Sequence, residues 1–315
     1  IPTSGTDPYL LCGIDLPPTE FHGTALVLVD QTLAPKLRDE LDQYAEDLTG
    51  DGWHVRIREA PRHNDAQWSN NTNAITHIRE LVDTEAVNCQ GRLRLITLIG
   101  HVAIPHSGNC NPDGHHSRPF PVDSYYGDLV RSTNDWTDLK DFPSYLGPRE
   151  PASHRVKNGP GDGYFDQELY PSPLEAAVGR IDFAGLPAFE RGGTNRLPPR
   201  TEIDLLRGYL DKLHRYRLGQ LAFPDRIAVF YLPYHTYDGV ETYRQALRNG
   251  AAWFGPDLAR YHDLNFFREA GTNRYLWACQ FAPSSYTATG AGNPRGWSVQ
   301  DLVDPANERA VFGYL

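Results

Sequence analysis

The chain has no methionine, only four cysteines, no long apolar run and no excess of positive charge. Each absence excludes something. Lysine and arginine total 30 against 40 aspartates and glutamates, a net charge of −10, so the chain lacks the basic footprint that binds nucleic acid or an anionic membrane surface. No stretch approaches the ~18 apolar residues of a membrane-crossing helix, and the mean hydropathy is −0.53. Cys12, Cys89, Cys110 and Cys279 are too few for a disulfide scaffold and contain no C-x-x-C pair. Cys89 and Cys110 flank one expected strand, and the sequence leaves open whether they are bridged. With no methionine in the chain, Ile1-Pro2-Thr3-Ser4-Gly5 reads as a mature end left by signal removal. Together with acidic loops rich in tyrosine and asparagine, it gives the expectation of a secreted or cell-surface protein.

What is present suits a large α/β protein. A length of 315 residues corresponds to about two domains at roughly 100–200 residues each. The run Ala25–Asp30 is short, continuous and apolar, as in a strand buried on both faces. Leu33, Leu37, Leu41, Tyr44 and Leu48 follow at helical spacing, and Gly50 and Gly52 stop the helix. Trp53–Ile57 alternates as a second strand, Thr76–Val82 reads as a helix, and Leu93–Ile99 is a third strand ending at Gly100-His101. This alternation predicts a parallel sheet with covering helices. Ligands of such sheets sit beyond the C-terminal strand ends, which singles out Asp30 and His101. Further strands are expected at Leu174–Ile181, Ile227–Leu232, Tyr275–Phe281 and Ala310–Leu315, with helices capped at Thr201 and running through Val240–Leu247. The resulting division is an N-terminal extension over 1–21, a first subdomain over 22–195 with a long loop insertion at 102–173, and a second over 196–315. The last apolar run breaks off at its start, so more sequence is expected after it.

Three constellations carry possible chemistry. His101, His106, His115 and His116, with Cys110 and Asp113 between them, supply imidazole and thiolate donors suited to zinc or copper. Their spacing matches no standard zinc pattern, and the alternative is a loop whose polar groups bind its own backbone. His235 follows one buried strand and Cys279 lies on the next. A thiol nucleophile needs a base within hydrogen-bond reach, and neighbouring parallel strands can provide it; the alternative is a buried, inert thiol. Asp123, Tyr125, Tyr126 and Asp128 mix carboxylates with aromatic rings, as in a pocket for a cationic side chain or a calcium site. Asp162, Asp166 and Glu168 offer a second calcium possibility, against Asx-turns on a turn-rich surface.

Several segments, in order, resemble the gingipain family, secreted cysteine endopeptidases of caspase-like fold. They are Ala25–Leu48, Leu95-Ile96-Thr97-Leu98-Ile99-Gly100 followed by Ile104-Pro105, Asp123-Ser124-Tyr125-Tyr126-Gly127-Asp128, and Val178-Gly179-Arg180-Ile181 followed by the helix at Thr201–Arg217. A bacterial secreted branch related to gingipains is similar also in Gly100-His101-Val102, Asn111-Pro112-Asp113-Gly114-His115, Gly161-Asp162-Gly163 with Phe165-Asp166-Gln167, and Tyr275-Leu276-Trp277-Ala278. The resemblance implies a caspase-like α/β fold with mainly parallel sheets flanked by helices, in two side-by-side subdomains. It also implies a peptidase acting on protein or peptide substrates, with Asp123 at the position that recognises a basic side chain. The chain departs from the family where the catalytic histidine belongs: Gln280-Phe281-Ala282-Pro283-Ser284-Ser285 contains none. The expectations are therefore a cysteine peptidase using Cys279 with His235 or His101, an inactive gingipain-like scaffold that binds, or a metal-dependent enzyme at the His101–His116 loop.

Overall fold

The computed structural model describes residues 21–66, 71–108, 120–129, 135–139, 160–167, 169–186, 189, 198–221, 226–231, 238–255, 258–261, 275–281, 288–289, 297–298 and 312–314. The chain divides into two units, one of residues 1–184 with 206–214 and one of 185–205 with 215–315.

The first unit is organised around β1 (Gly23–Asp30), all eight residues of which are buried. It lies between β2 (Trp53–Ala60) and β3 (Leu93–Ile99), and β4 (Ala177–Ile181) pairs with β3; the order is β2-β1-β3-β4 and every pairing is parallel. A central strand needs apolar side chains on both faces, which is why its sequence is a continuous run. The expected first helix is split by Pro35, which opens a 3-10 turn over Ala34–Lys36. The helix proper, α1 (Arg38–Gly50), starts after it and buries Leu41, Tyr44 and Leu48. α2 (Thr72–Asn88) is longer than its apolar spacing suggested, because it also buries Arg79 and Glu85. Glu85 accepts hydrogen bonds from Arg56 (3.0 Å) and Arg58 (2.7 Å) of β2, so its burial is compensated by two guanidiniums.

Under this sheet lies a core of Leu26, Leu28, Ile78, Val82, Leu93, Ile96 and Leu98, joined by Tyr126 and Phe165. These last two come from the long segment after β3, whose described parts form an aromatic cluster. Tyr125 stacks on Phe165 at 4.3 Å, and Trp136 meets both rings edge-on. A 3-10 turn over Asp123–Gly127 presses on β4. A Cβ at Gly127 would collide with the Ala176 carbonyl oxygen, so only glycine fits there. The helix α3 (Glu202–Arg217) starts with a reciprocal cap, in which the Asp204 carboxylate accepts from the Thr201 amide (2.9 Å) and the Thr201 hydroxyl lies 3.3 Å from the Asp204 amide. Its Leu206–His214 stretch belongs to the first unit, where Arg207 meets Glu40 and His214 meets Asp47, both at 2.8 Å.

The second unit has its own all-parallel sheet of β5 (Ile227–Tyr231), β6 (Leu258–Tyr261), β7 (Trp277–Phe281) and β10 (Phe312–Tyr314), in the order β10-β7-β5-β6. α4 (Asp238–Phe254) connects β5 to β6. A small antiparallel pair, β8 (Ala288–Thr289) and β9 (Trp297–Ser298), is separate from it. Read from its other edge, this sheet has the strand order of the first unit: second, first, third, fourth. The sequence pattern located β5, β7 and β10 but not the four-residue β6. None of the described helices is long and apolar enough to cross a membrane.

Leu28 is fully buried at the centre of the first sheet. Leu28→Ala is expected to lower unfolding free energy by about 2–5 kcal/mol, read as a reduced urea midpoint with unchanged slope. A loss below 1 kcal/mol would place the core elsewhere.

Candidate functional site

In a parallel sheet all strands deliver their C-terminal ends to one edge. In the first unit that edge collects Asp30 from β1, Arg62, His63 and Asp65 after β2, His101 after β3, and Arg180 and Asp182 from the end of β4. Asp30 is completely buried; it meets Arg62 at 2.5 Å and accepts from the amide and hydroxyl of Thr32. Gly100 makes room for it: with φ +81°, a Cβ there would lie 2.8 Å from both Asp30 Cβ and Leu33 Cδ1.

His101 is the centre of the arrangement. Its Nδ1 donates to Asp182 Oδ2 at 2.7 Å. Its buried Nε2 lies 3.2 Å from Asp65 Oδ2 but forms no hydrogen bond. Burial alone would lower the pKa of this imidazole; the Asp182 hydrogen bond and charge, joined by Asp65, outweigh it and raise the pKa above 6.5. Burial would likewise raise Asp182, yet the His101 hydrogen bond, the Ala184 amide and the Arg180 charge hold that carboxyl below its ordinary value.

Two further buried imidazoles, His63 and His106, behave oppositely. The His63 ring sits edge-on to His101 at 5.3 Å, and its Nδ1 accepts the Ile104 amide at 3.1 Å. His106 donates from Nδ1 to the Ile104 carbonyl at 3.1 Å and packs on Tyr164. Burial, then the neighbouring imidazole, pushes each down to about 4.

Asp123 is present at this edge, but Arg180 grips both its oxygens at 2.7 Å, while a third guanidinium nitrogen donates to the Val102 carbonyl. The carboxylate expected to meet a basic substrate side chain thus already holds an internal arginine. The other expected contact residues are equally engaged. Tyr126 is buried with its hydroxyl on the Ala103 carbonyl at 2.9 Å, Tyr125 is stacked on Phe165, and Asp128 receives Trp136 Nε1 and Ser172 Oγ. Asp162 caps the Tyr164 amide, and Asp166 accepts from Thr137 Oγ1 and the Leu139 amide. Asp162 thus closes a local Asx-turn, whereas Asp128 and Asp166 tie together segments distant in sequence.

Among the described residues no group of three or more His, Cys, Asp or Glu side chains is arranged to hold a metal ion. Of the expected imidazole set only His101 and His106 are described, and of the expected calcium set only Asp162 and Asp166. His115, His116, Cys110, Asp113 and Glu168 lie outside the described residues, as does His235. Cys279 lies on β7, buried against Ile227 and Val229. Burial pushes its thiol up to about 11, so it is protonated at neutral pH, against the expectation of an activated thiolate. Cys89 is also a free, buried cysteine, packed in the core of the first unit and not bridged.

The residues that sequence reasoning passed over are His63, Asp65, Arg180 and Asp182. The available signal was the strand-end rule, applied to β1 and β3 but not to Arg62-His63-Asn64-Asp65 after β2 or to Arg180-Ile181-Asp182 on β4.

The two kinds of histidine give opposite pH dependences. Between about pH 4 and 6.5 the unfolded chain binds protons at His63 and His106 that the folded state refuses, so stability falls as pH drops through that window, by on the order of 3 kcal/mol for each. The His101 contribution has the other sign, present in full below pH 6.5 and lost as pH rises through its raised pKa. Urea unfolding at pH 4.5, 5.5 and 6.5 is expected to show the acid-side loss, with roughly half of it removed in His63→Gln. An unchanged slope in that variant would assign the loss to other groups.

No family model, curated protein or solved structure matches this chain.

Proposed function

We propose that the strand-end site around His101 binds a cationic side chain of a peptide or protein, on a secreted gingipain-like, caspase-like scaffold of two α/β subdomains that does not cleave through Cys279. One observation carries this reading: the charge balance at the sheet edge. Asp30 is matched by Arg62 and Asp123 by Arg180. Among the described residues Asp65 and Asp182 then share His101, with only the far edge of Arg180, 3.5 Å from Asp182, in addition. The site keeps negative charge in a half-enclosed place, and the Asp65 side chain is 62% exposed, so an arriving lysine or arginine can reach it. The repeated parallel strand order of the two sheets supports the caspase-like scaffold.

The thiol-peptidase reading retains one favourable observation, the Asp182–His101 pair, because a carboxylate that fixes an imidazole is the usual orienting device for a general base. The buried Cys279 weighs against it.

Alkylation of the native protein by iodoacetamide across pH 5–9, followed by peptide mapping, separates the two. Cys279 is expected to react slowly at every pH in that range and quickly only after unfolding. Arginine and lysine peptides are expected to bind without being cleaved. Asp65→Asn is expected to weaken that binding about two- to fivefold, the scale of an exposed ion pair. Rapid alkylation below pH 7 accompanied by cleavage after arginine or lysine would replace this reading with the peptidase.

A further inference from the structure

The geometry around His101 carries a statement about how this site is regulated, and it rests on the cation-binding reading above. We propose that a proton on His101 and the cationic group of the ligand compete for the Asp65 carboxylate, so that ligand binding releases a proton to solvent.

The two nitrogens of one ring face two different acids. Nδ1 is 2.7 Å from Asp182 Oδ2, and Nε2 is 3.2 Å from Asp65 Oδ2. An imidazolium suits both, hydrogen-bonding Asp182 through Nδ1 and placing its positive charge beside Asp65. A neutral ring keeps its hydrogen on Nδ1, where the hydrogen bond to Asp182 is formed, and turns a bare lone pair at Nε2 toward an anionic oxygen. That pair of acceptors lacks a donor, and Nε2 is buried with no hydrogen-bond partner. An ammonium or guanidinium entering at the exposed Asp65 carboxylate restores the positive charge that the ring has given up. Protonated His101 already balances Asp65, and its charge repels the incoming cation.

The neighbouring charges do not perform this exchange. Arg62 is held by Asp30 and Arg180 by Asp123. His63, after β2, accepts the Ile104 amide, and His106, on the loop after β3, donates to the Ile104 carbonyl. Both lose their protons near 4, well below the range in which His101, raised above 6.5, changes charge. Asp65 is the exposed partner and Asp182 the enclosed one, so the ligand arrives on the Asp65 side and leaves the orienting Asp182 bond intact. Because linkage is reciprocal, a bound cation must depress the proton affinity of His101 by the same factor that the proton depresses ligand affinity.

Isothermal titration of the full chain with N-acetyl-arginine amide from about pH 5.5 to 8.5, in two buffers of different ionisation enthalpy, counts the protons directly. Affinity is expected to rise about tenfold per pH unit below the His101 midpoint and to level off above it, with up to one proton released. The His101 ring resonance, followed by NMR in the same chain, is expected to titrate at lower pH when ligand is saturating. His101→Gln is expected to flatten the affinity profile; should that variant not fold, the wild-type ring titration decides. Binding with no pH dependence and no proton release would overturn the competition while leaving the cation site standing. No binding at any pH would remove both.

Discussion

Arg180 is the hub on which the strand-end arrangement depends. From a single position on β4 its guanidinium takes both oxygens of Asp123 in the turn that follows the long loop, the carbonyl of Val102 just past β3, and the flank of Asp182 at its own strand end. Burial opposes any charge there, and the bidentate Asp123 contact is what offsets it. A guanidinium suits this position because its planar fork donates in several directions at once, which an ammonium on a flexible stem does not. With this clamp in place Val102 and the turn at Asp123 are tied to β4, and the Asp182 carboxylate is held where it meets His101. Removing one member of such a buried pair costs far more than the pair itself contributes, because it strands the remaining charge.

That hub also changes the meaning of Asp123. From the sequence the expectation is a carboxylate free to meet a substrate's basic side chain, and the structure gives it an arginine from the same chain. The negative charge left over at the edge sits instead on Asp65 and Asp182. Under the proposed reading, such a site would select by charge balance and by one imidazole, not by a deep acidic pocket.

How much of this was legible in the sequence follows from which signals are periodic. The strands of both sheets were largely readable because buried parallel strands are short apolar runs, and Asp30 and His101 were found because they end two of them. The split of the first helix at Pro35 and the extension of α2 to Asn88 were not, since the apolar spacing is silent about a proline turn and about buried Arg79 and Glu85, which are compensated by partners far away in sequence. The aromatic cluster of Tyr125, Trp136 and Phe165 gave no regular period, so the segment holding it read as irregular. Polar residues at strand ends, such as Asp65 and Asp182, carry no pattern; their role emerges only when the sheet brings four strand ends to one edge. Cys279 illustrates the converse. A cysteine beside an expected histidine suggested a nucleophile, but its place within β7, packed on Ile227 and Val229, makes it a small apolar residue.

The three imidazoles at the edge show how a buried cluster chooses its charge. His63 and His101 are in ring contact, and each proton added to one makes the next more costly. Backbone groups of Ile104 engage His63 and His106, whereas only His101 has carboxylates on both sides. The cluster therefore holds one proton at most near neutral pH, and that proton resides on the ring set between Asp65 and Asp182. Charge placed there is balanced in part by Asp65, the acid that an external cation would meet, which makes occupancy by proton and by ligand two states of one electrostatic site.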